Sequence, residues 1–238
     1  MKKLIILFVA ITSLLFASCS CVFSGIHPEG EYIAKTINAE PFENISYSAG
    51  MELIITQDST TSVVLETYEN IHDYIQVEVV DNTLKITKDF SVNFVNPKIK
   101  IYVKTAKLEK ITASAGTRLD MSAGWEGETL DIDISAGSSA IGNLMLKELS
   151  LNMSAGTRAE FEGRAEKFSL DASSGSSFKS YNLETSVCDV NISSGALAYL
   201  YVSDFLSAEA SSGASIRYKG NPQLKTKIHS GASIRNVD

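Results

Sequence analysis

Apolar and polar residues alternate along most of this chain, phased by a recurring word of small residues built around glycine. Seven copies centre on Gly116, Gly137, Gly156, Gly175, Gly195, Gly213 and Gly231, with gaps of 21, 19, 19, 20, 18 and 18 residues. Three residues before these glycines stand Ala113, Ile134, Met153, Ala172, Ile192, Ala210 and Ile228. Five before stand Ile111, Ile132, Leu151, Leu170, Val190, Ala208 and Thr226. The column between them is polar: Thr112, Asp133, Asn152, Asp171, Asn191, Glu209 and Lys227. Beyond each glycine the alternation resumes, with Leu119, Ala140, Ala159, Phe178, Ala198, Ile216 and Ile234 in the inward slot. Period two predicts strands with one face buried and one wet.

Each copy therefore reads as strand, glycine corner, strand, looser corner. The corner glycine fits a backbone position with φ > 0, where a Cβ is costly. One such unit cannot bury its own apolar face, whereas units stacked about 4.8 Å apart can. The predicted fold is all-β: a single-stranded parallel β-helix, or β-solenoid, with 18–21 residues per coil. A right-handed coil is expected, because parallel crossovers are overwhelmingly right-handed. An antiparallel sandwich also alternates, but it does not require the same corner at every second turn. Repetition is near-verbatim in places: Ser114 to Arg118 returns as Ser154 to Arg158, and Ser212 to Arg217 returns as Ser230 to Arg235.

The N-terminal half is less regular. Lys2 and Lys3 precede the apolar run Leu4 to Phe16, too short for a membrane span but right for a secretory leader. Small residues then lead to Cys19, and Phe16-Ala17-Ser18-Cys19 resembles a bacterial lipobox with Phe in place of the usual Leu. The expectation is a leader over 1–18, cleaved before Cys19, with lipid on that thiol. Residues 19–38 read as a tether and 39–238 as one solenoid domain, divided into an N-terminal coil with capping strands (39–110) and regular coils (111–238). Gly50 carries Ile45, Tyr47, Leu53 and Ile55 in the inward slots and reads as an eighth corner, 66 residues before Gly116. Between them, Tyr68, Ile71, His72 and Ile75 have helical spacing, Val77 to Ile86 reads as a hairpin turning at Asp81-Asn82, and Ile99 to Val103 as a strand. This stretch is expected to cap the solenoid's otherwise open strand edge.

Phe42-Glu-Asn-Ile45, Met51-Glu-Leu-Ile-Ile-Thr56, Leu84-Lys-Ile86, and Leu108-Glu-Lys-Ile111 running into Ser114-Ala-Gly116 resemble the putative auto-transporter adhesin, head GIN domain family over about residues 40–220. The resemblance implies a β-solenoid, frequently a lipoprotein of Bacteroidetes, with adhesion as the implied role. It supplies no catalytic residues.

Charge and candidate chemistry narrow this picture. Without Lys2 and Lys3 the chain has 19 basic against 28 acidic residues, a formal −9, which argues against nucleic acid or an anionic membrane as partner. The membrane is then reached through the lipid anchor alone. His27, His72 and His229 are scattered, and neither His nor Cys has the spacing of a metal site, so no metal or cofactor is expected. Cys188 sits in an inward column and reads as a small buried hydrophobe. His229 replaces the serine that stands two before glycine in the other regular coils, which fits a relaxed last coil better than a base beside Ser230. Asp131, Asp133, Asp171 and Asp189 face outward, and Asp133 and Asp171 lie two coils apart, about 9–10 Å by strand spacing. That separation sits at the edge for an inverting pair of carboxylates, and a solvated polar face is the plainer account. Trp125, at the looser corner of the first regular coil, either stacks on sugar or packs over the solenoid edge. The expected function is an exported, lipid-anchored protein of the cell envelope, at the outer membrane, that binds a glycan or protein ligand without catalysis. The alternatives are a carbohydrate-active β-helix and a structural subunit that associates end to end through its uncapped last coil.

Overall fold

A computed structural model describes residues 25–238, whose strands join into one sixteen-stranded sheet. In chain order these are β1 (Tyr32–Ile37), β2 (Asn44–Tyr47), β3 (Glu52–Gln57), β4 (Ser62–Tyr68), the single-turn helix α1 (Glu69–His72), β5 (Ile75–Val80), β6 (Thr83–Lys88), β7 (Lys100–Thr105) and β8 (Lys110–Ala113). There follow β9 (Arg118–Ile134), β10 (Ser139–Met153), β11 (Arg158–Ala172), β12 (Ser177–Ile192), β13 (Leu197–Ala210), β14 (Ser215–Lys219), β15 (Gln223–Ile228) and β16 (Ser233–Asn236).

From β8 onward every pairing between coils is parallel, and the register keeps each column in line. Ile111 pairs with Ile132, Ile132 with Leu151, Leu151 with Leu170, Leu170 with Val190, and Val190 with Ala208. These side chains are buried and form the core with Leu119, Phe161, Phe168, Phe178 and Leu206. The expected β-solenoid is the observed fold. The inward positions three, five and seven residues before each glycine fail only at the ends: Glu109 is exposed in the first regular coil, and Leu224 (51 %), Thr226 and Ile228 (50 %) are exposed in the last.

The corners are built from two consecutive left-handed residues. Gly156 has φ of 74° and Ala155 before it 55°, and the same pair of positive angles recurs at every regular corner and at Ala49-Gly50. The amide of each corner glycine before Gly231 donates to the carbonyl of the left-handed residue one coil on: Gly116 to Ala136 at 2.9 Å, Gly156 to Ser174 at 3.0 Å, Gly213 to Ser230 at 3.1 Å. Gly50 makes the same bond to Ala115 at 2.9 Å, so it is the corner of a first coil stacked directly on the second. The unusual backbone thus aims a donor and an acceptor along the solenoid axis, and satisfied groups hold the strained angles in place.

The looser corners are not loops. In β9 to β13 the strand runs through them, bent by Gly124 (φ 99°) and Gly163 (φ 103°) and accommodated by register shifts near Gly142, Ala159 and Ser180.

At the N-terminal end, β2 pairs with β6, and β6 with the hairpin strand β5, while β3 pairs with β7, then β4, then β1. Asp81 and Asn82 turn the hairpin with φ of 51° and 58°. These strands lie across the N-terminal end of the coils, with β6 and β7 stacked parallel on the first coil and β5, β4 and β1 added antiparallel. The segment read as a tether is corrected here: Ile26 bridges Phe94, and Tyr32–Ile37 pairs along its whole length with Val63–Tyr68 of β4. Its alternation is faint because as an edge strand it buries little. Cys19, Cys21 and the leader lie outside the described residues.

Candidate functional site

The polar column before the glycine corners forms a ladder. Asn152 donates to Asp133 at 2.7 Å, Asn191 donates to Asp171 at 3.1 Å, and Lys110 pairs with Asp133 at 2.6 Å. The hydrogen bond and charge of Asp133 hold the Lys110 ammonium above its ordinary pKa. Asp133, Asn152, Asp171 and Asn191 line an open groove of about 420 Å³ in which Asn152 separates the two carboxylates. Asp131 and Asp189 are exposed, opposite Ser150 and Ser207 on neighbouring coils. Each member of the Asp133–Asn191 run therefore has a partner within the ladder, an arrangement that rigidifies a wet face. Among the described residues, no group of three or more His, Cys, Asp or Glu side chains has metal-binding geometry.

Trp125 is corrected as a surface candidate. It is 2 % exposed, lies within β9 opposite Leu144, and is the largest fully buried side chain. Its corner is a bend in a continuous strand, so the ring turns into the core and is unavailable to sugar. His229 is exposed in the last coil, and its amide donates to the Ala210 carbonyl at 2.9 Å as Ser211 and Ser193 do to the coils before them. Cys188 is buried with its sulfur 2.9 Å from the Thr185 hydroxyl, and burial pushes its thiol up to about 12. Such a thiol stays protonated and unreactive at neutral pH.

A second concavity went unread in the sequence. Where β11, β12 and β13 pass the looser corner, the outward side chains enclose a cleft of about 530 Å³. Its floor holds Phe161 and Ser180, whose hydroxyl accepts the Phe161 amide at 2.8 Å. Its rim carries Glu160, Glu162, Lys179, Tyr181 and Tyr199. Tyr181 and Tyr199 meet edge to face at 5.4 Å between ring centroids. Lys219 lies 4.9 Å from the Tyr181 ring centre, while Arg217 and Lys179 lie 5.6 and 5.9 Å from that of Tyr199. Partial burial and the neighbouring Tyr199 raise the Tyr181 phenol above its ordinary pKa, so it remains a neutral donor. The cluster combines half-buried rings, three cations and two carboxylates on a rigid sheet face, a composition suited to amphipathic ligands. In the sequence Tyr181 stands beside Asn182, outside the alternating columns. Its pairing with Tyr199 depends on how the register shifts between Ser180 and Glu184.

A model of the family described as "Putative auto-transporter adhesin, head GIN domain" matches residues 41–222. Among solved structures, a putative adhesin from Bacteroides fragilis superposes with a TM-score of 0.84 at 23 % identity, covering 90 % of this chain and 100 % of that one. A putative lipid binding protein from Parabacteroides distasonis gives 0.71 at 18 % identity, with 90 % and 100 % covered. A putative adhesin from Parabacteroides merdae gives 0.65 at 16 % identity, with 90 % and 99 % covered. At these identities the likeness is one of fold. The comparison with curated proteins finds no match.

Proposed function

The chain belongs to the putative auto-transporter adhesin, head GIN domain family, and on that premise we propose that it is a non-catalytic binding protein of the cell envelope. It is tethered through lipid on Cys19 and binds a glycan or protein ligand at the Tyr181–Tyr199 cleft. The observation that carries this reading is the cleft: paired aromatic rings edged by Lys179, Arg217 and Lys219 on a face that the solenoid holds rigid. The family's name and the names of the similar structures support an envelope role. The leader and lipobox support the anchor.

Glycan and matrix-protein arrays test the site. Binding by the wild type, reduced about tenfold or more in Tyr181→Ala/Tyr199→Ala, is the expected outcome, since two aromatic contacts contribute roughly 1–3 kcal/mol together. No binding at all, or binding that the double variant leaves unchanged, removes this assignment. In cells, palmitate should label the wild type and not Cys19→Ala.

A further inference from the structure

The two ends of the solenoid are unlike in charge and alike in having open strand edges. Residues 214–238 carry five basic side chains (Arg217, Lys219, Lys225, Lys227, Arg235) against one acidic, +4, whereas residues 25–213 carry fourteen against twenty-seven, −13. The basic residues sit at the last coil, where β15 pairs only with β13 and β16 only with β14. Every residue of β15 is exposed, including Leu224 and Ile228, which occupy the inward columns with no further coil to cover them. Lys227 pairs with Glu209 at 3.1 Å; among the described residues Lys225 and Arg235 make no ion pair. Arg235 also lies in register against Arg217, so like charges stack at this end.

The opposite end is acidic. The stretch from Glu66 through α1 and β5 to Asp81 contains Glu66, Glu69, Asp73, Glu78 and Asp81 and no Lys or Arg. Among the described residues its outer strands, β5 and β1, each pair on one side. They close the same two sheet faces that end at the far side in β15 and β16. On one face β5 leads through β6 and β2 to the coils and β15; on the other, β1 leads through β4, β7 and β3 to β16.

We propose that the basic last coil is a docking surface for the acidic N-terminal cap of a second copy, giving head-to-tail association. In this contact β5 of the incoming copy runs antiparallel to β15, because β5 is reversed relative to the coils, and β1 runs parallel to β16. Backbone edges are satisfied, Leu224 and Ile228 are covered, and Lys225 and Lys227 face the Glu69–Asp81 cluster. Tail-to-tail pairing would bring two basic ends together and is disfavoured by the same charges. A head-to-tail contact uses two different surfaces, so it propagates as an open row of subunits.

The test uses residues 20–238, which contain every described strand. By sedimentation at low salt the wild type should gain mass with concentration and revert toward monomer at about 0.5 M salt, where screening is strong. Lys225→Glu/Lys227→Glu, both exposed, should weaken association by about tenfold or more, as should Glu69→Lys/Glu78→Lys. An equimolar mixture of the two variants should regain association, because each then offers complementary ends, an outcome that misfolding of either variant would not produce. A concentration-independent monomer overturns the proposal. So does self-association unaffected by both double variants, or a monomer whose basic end instead binds vesicles of anionic lipid. None of these outcomes bears on ligand capture at the Tyr181–Tyr199 cleft.

Discussion

Gly156 and Ala155 occupy the same corner under opposite constraints. Both have positive φ, but only glycine adopts it without Cβ strain. A Cβ on Gly156 would meet nothing within 4 Å, so the cost of Gly156→Ala is conformational alone, about 1–2 kcal/mol. Ala155→Gly removes a strained Cβ but loosens the unfolded chain, and these offset each other to within about 1 kcal/mol. Gly163→Ala should be worse than either, since its Cβ would press on the Leu144 carbonyl oxygen of the neighbouring coil as well as strain φ. Urea midpoints should fall in the order Ala155→Gly, Gly156→Ala, Gly163→Ala; equal losses for the last two would discount the backbone contact. The corner glycines were legible as positions of positive φ from their repetition alone. The left-handed residue before each was not, because Ala and Ser rarely adopt that conformation and only the inter-coil hydrogen bond explains why they do so here.

At the scale of elements, the long strands of the regular coils owe their continuity to their neighbours. Residues 122–127 of β9, Ser-Ala-Gly-Trp-Glu-Gly, hold two glycines at the looser corner, yet lie inside one strand of 17 residues because β10 pairs on either side of the bend. The Gln57 side chain completes the bend from the cap side: Glu126 donates its amide to Gln57 at 2.9 Å, and Gln57 donates to the Glu126 carbonyl at 2.8 Å. The bend turns Trp125 into the core. Trp125→Ala should therefore cost about 3–5 kcal/mol, measured as a lowered thermal midpoint, and a loss below about 1 kcal/mol would mean that the ring is not packed as described. Alternation located β2, β3, β5, β6 and every corner-flanking strand. It missed β1, whose partner β4 lies 26 or more residues away and whose residues are half-buried or exposed. It also missed the Tyr181–Tyr199 pair, which register shifts create from positions on different coils.

Taken whole, the molecule is a stack in which each coil contacts mainly its neighbours, so local stability should follow the number of covered faces. Among the described residues the cap strands cover the core at one end, and no further coil covers it at the other. Amide exchange measured on dilute protein should therefore be fastest in β15 and β16 and slowest in β10 and β11. Protection should differ by at least about tenfold, or about 1.4 kcal/mol. Uniform protection along the chain would mean that the coils open only together. Net charge over the whole chain averages a basic terminus into an acidic body, so the unlike ends do not show in it.

The joint between successive corners uses one backbone amide and one backbone carbonyl, with no side chain in the bond. Such a joint is indifferent to what the rest of the coil carries. Adding or deleting one complete coil, between Gly213 and Gly231 for example, would leave every remaining joint in place. It would move everything beyond it by one strand spacing, about 4.8 Å. The length of the stack is thus a quantity that this architecture can adjust in fixed steps, independently of the chemistry displayed on its sides.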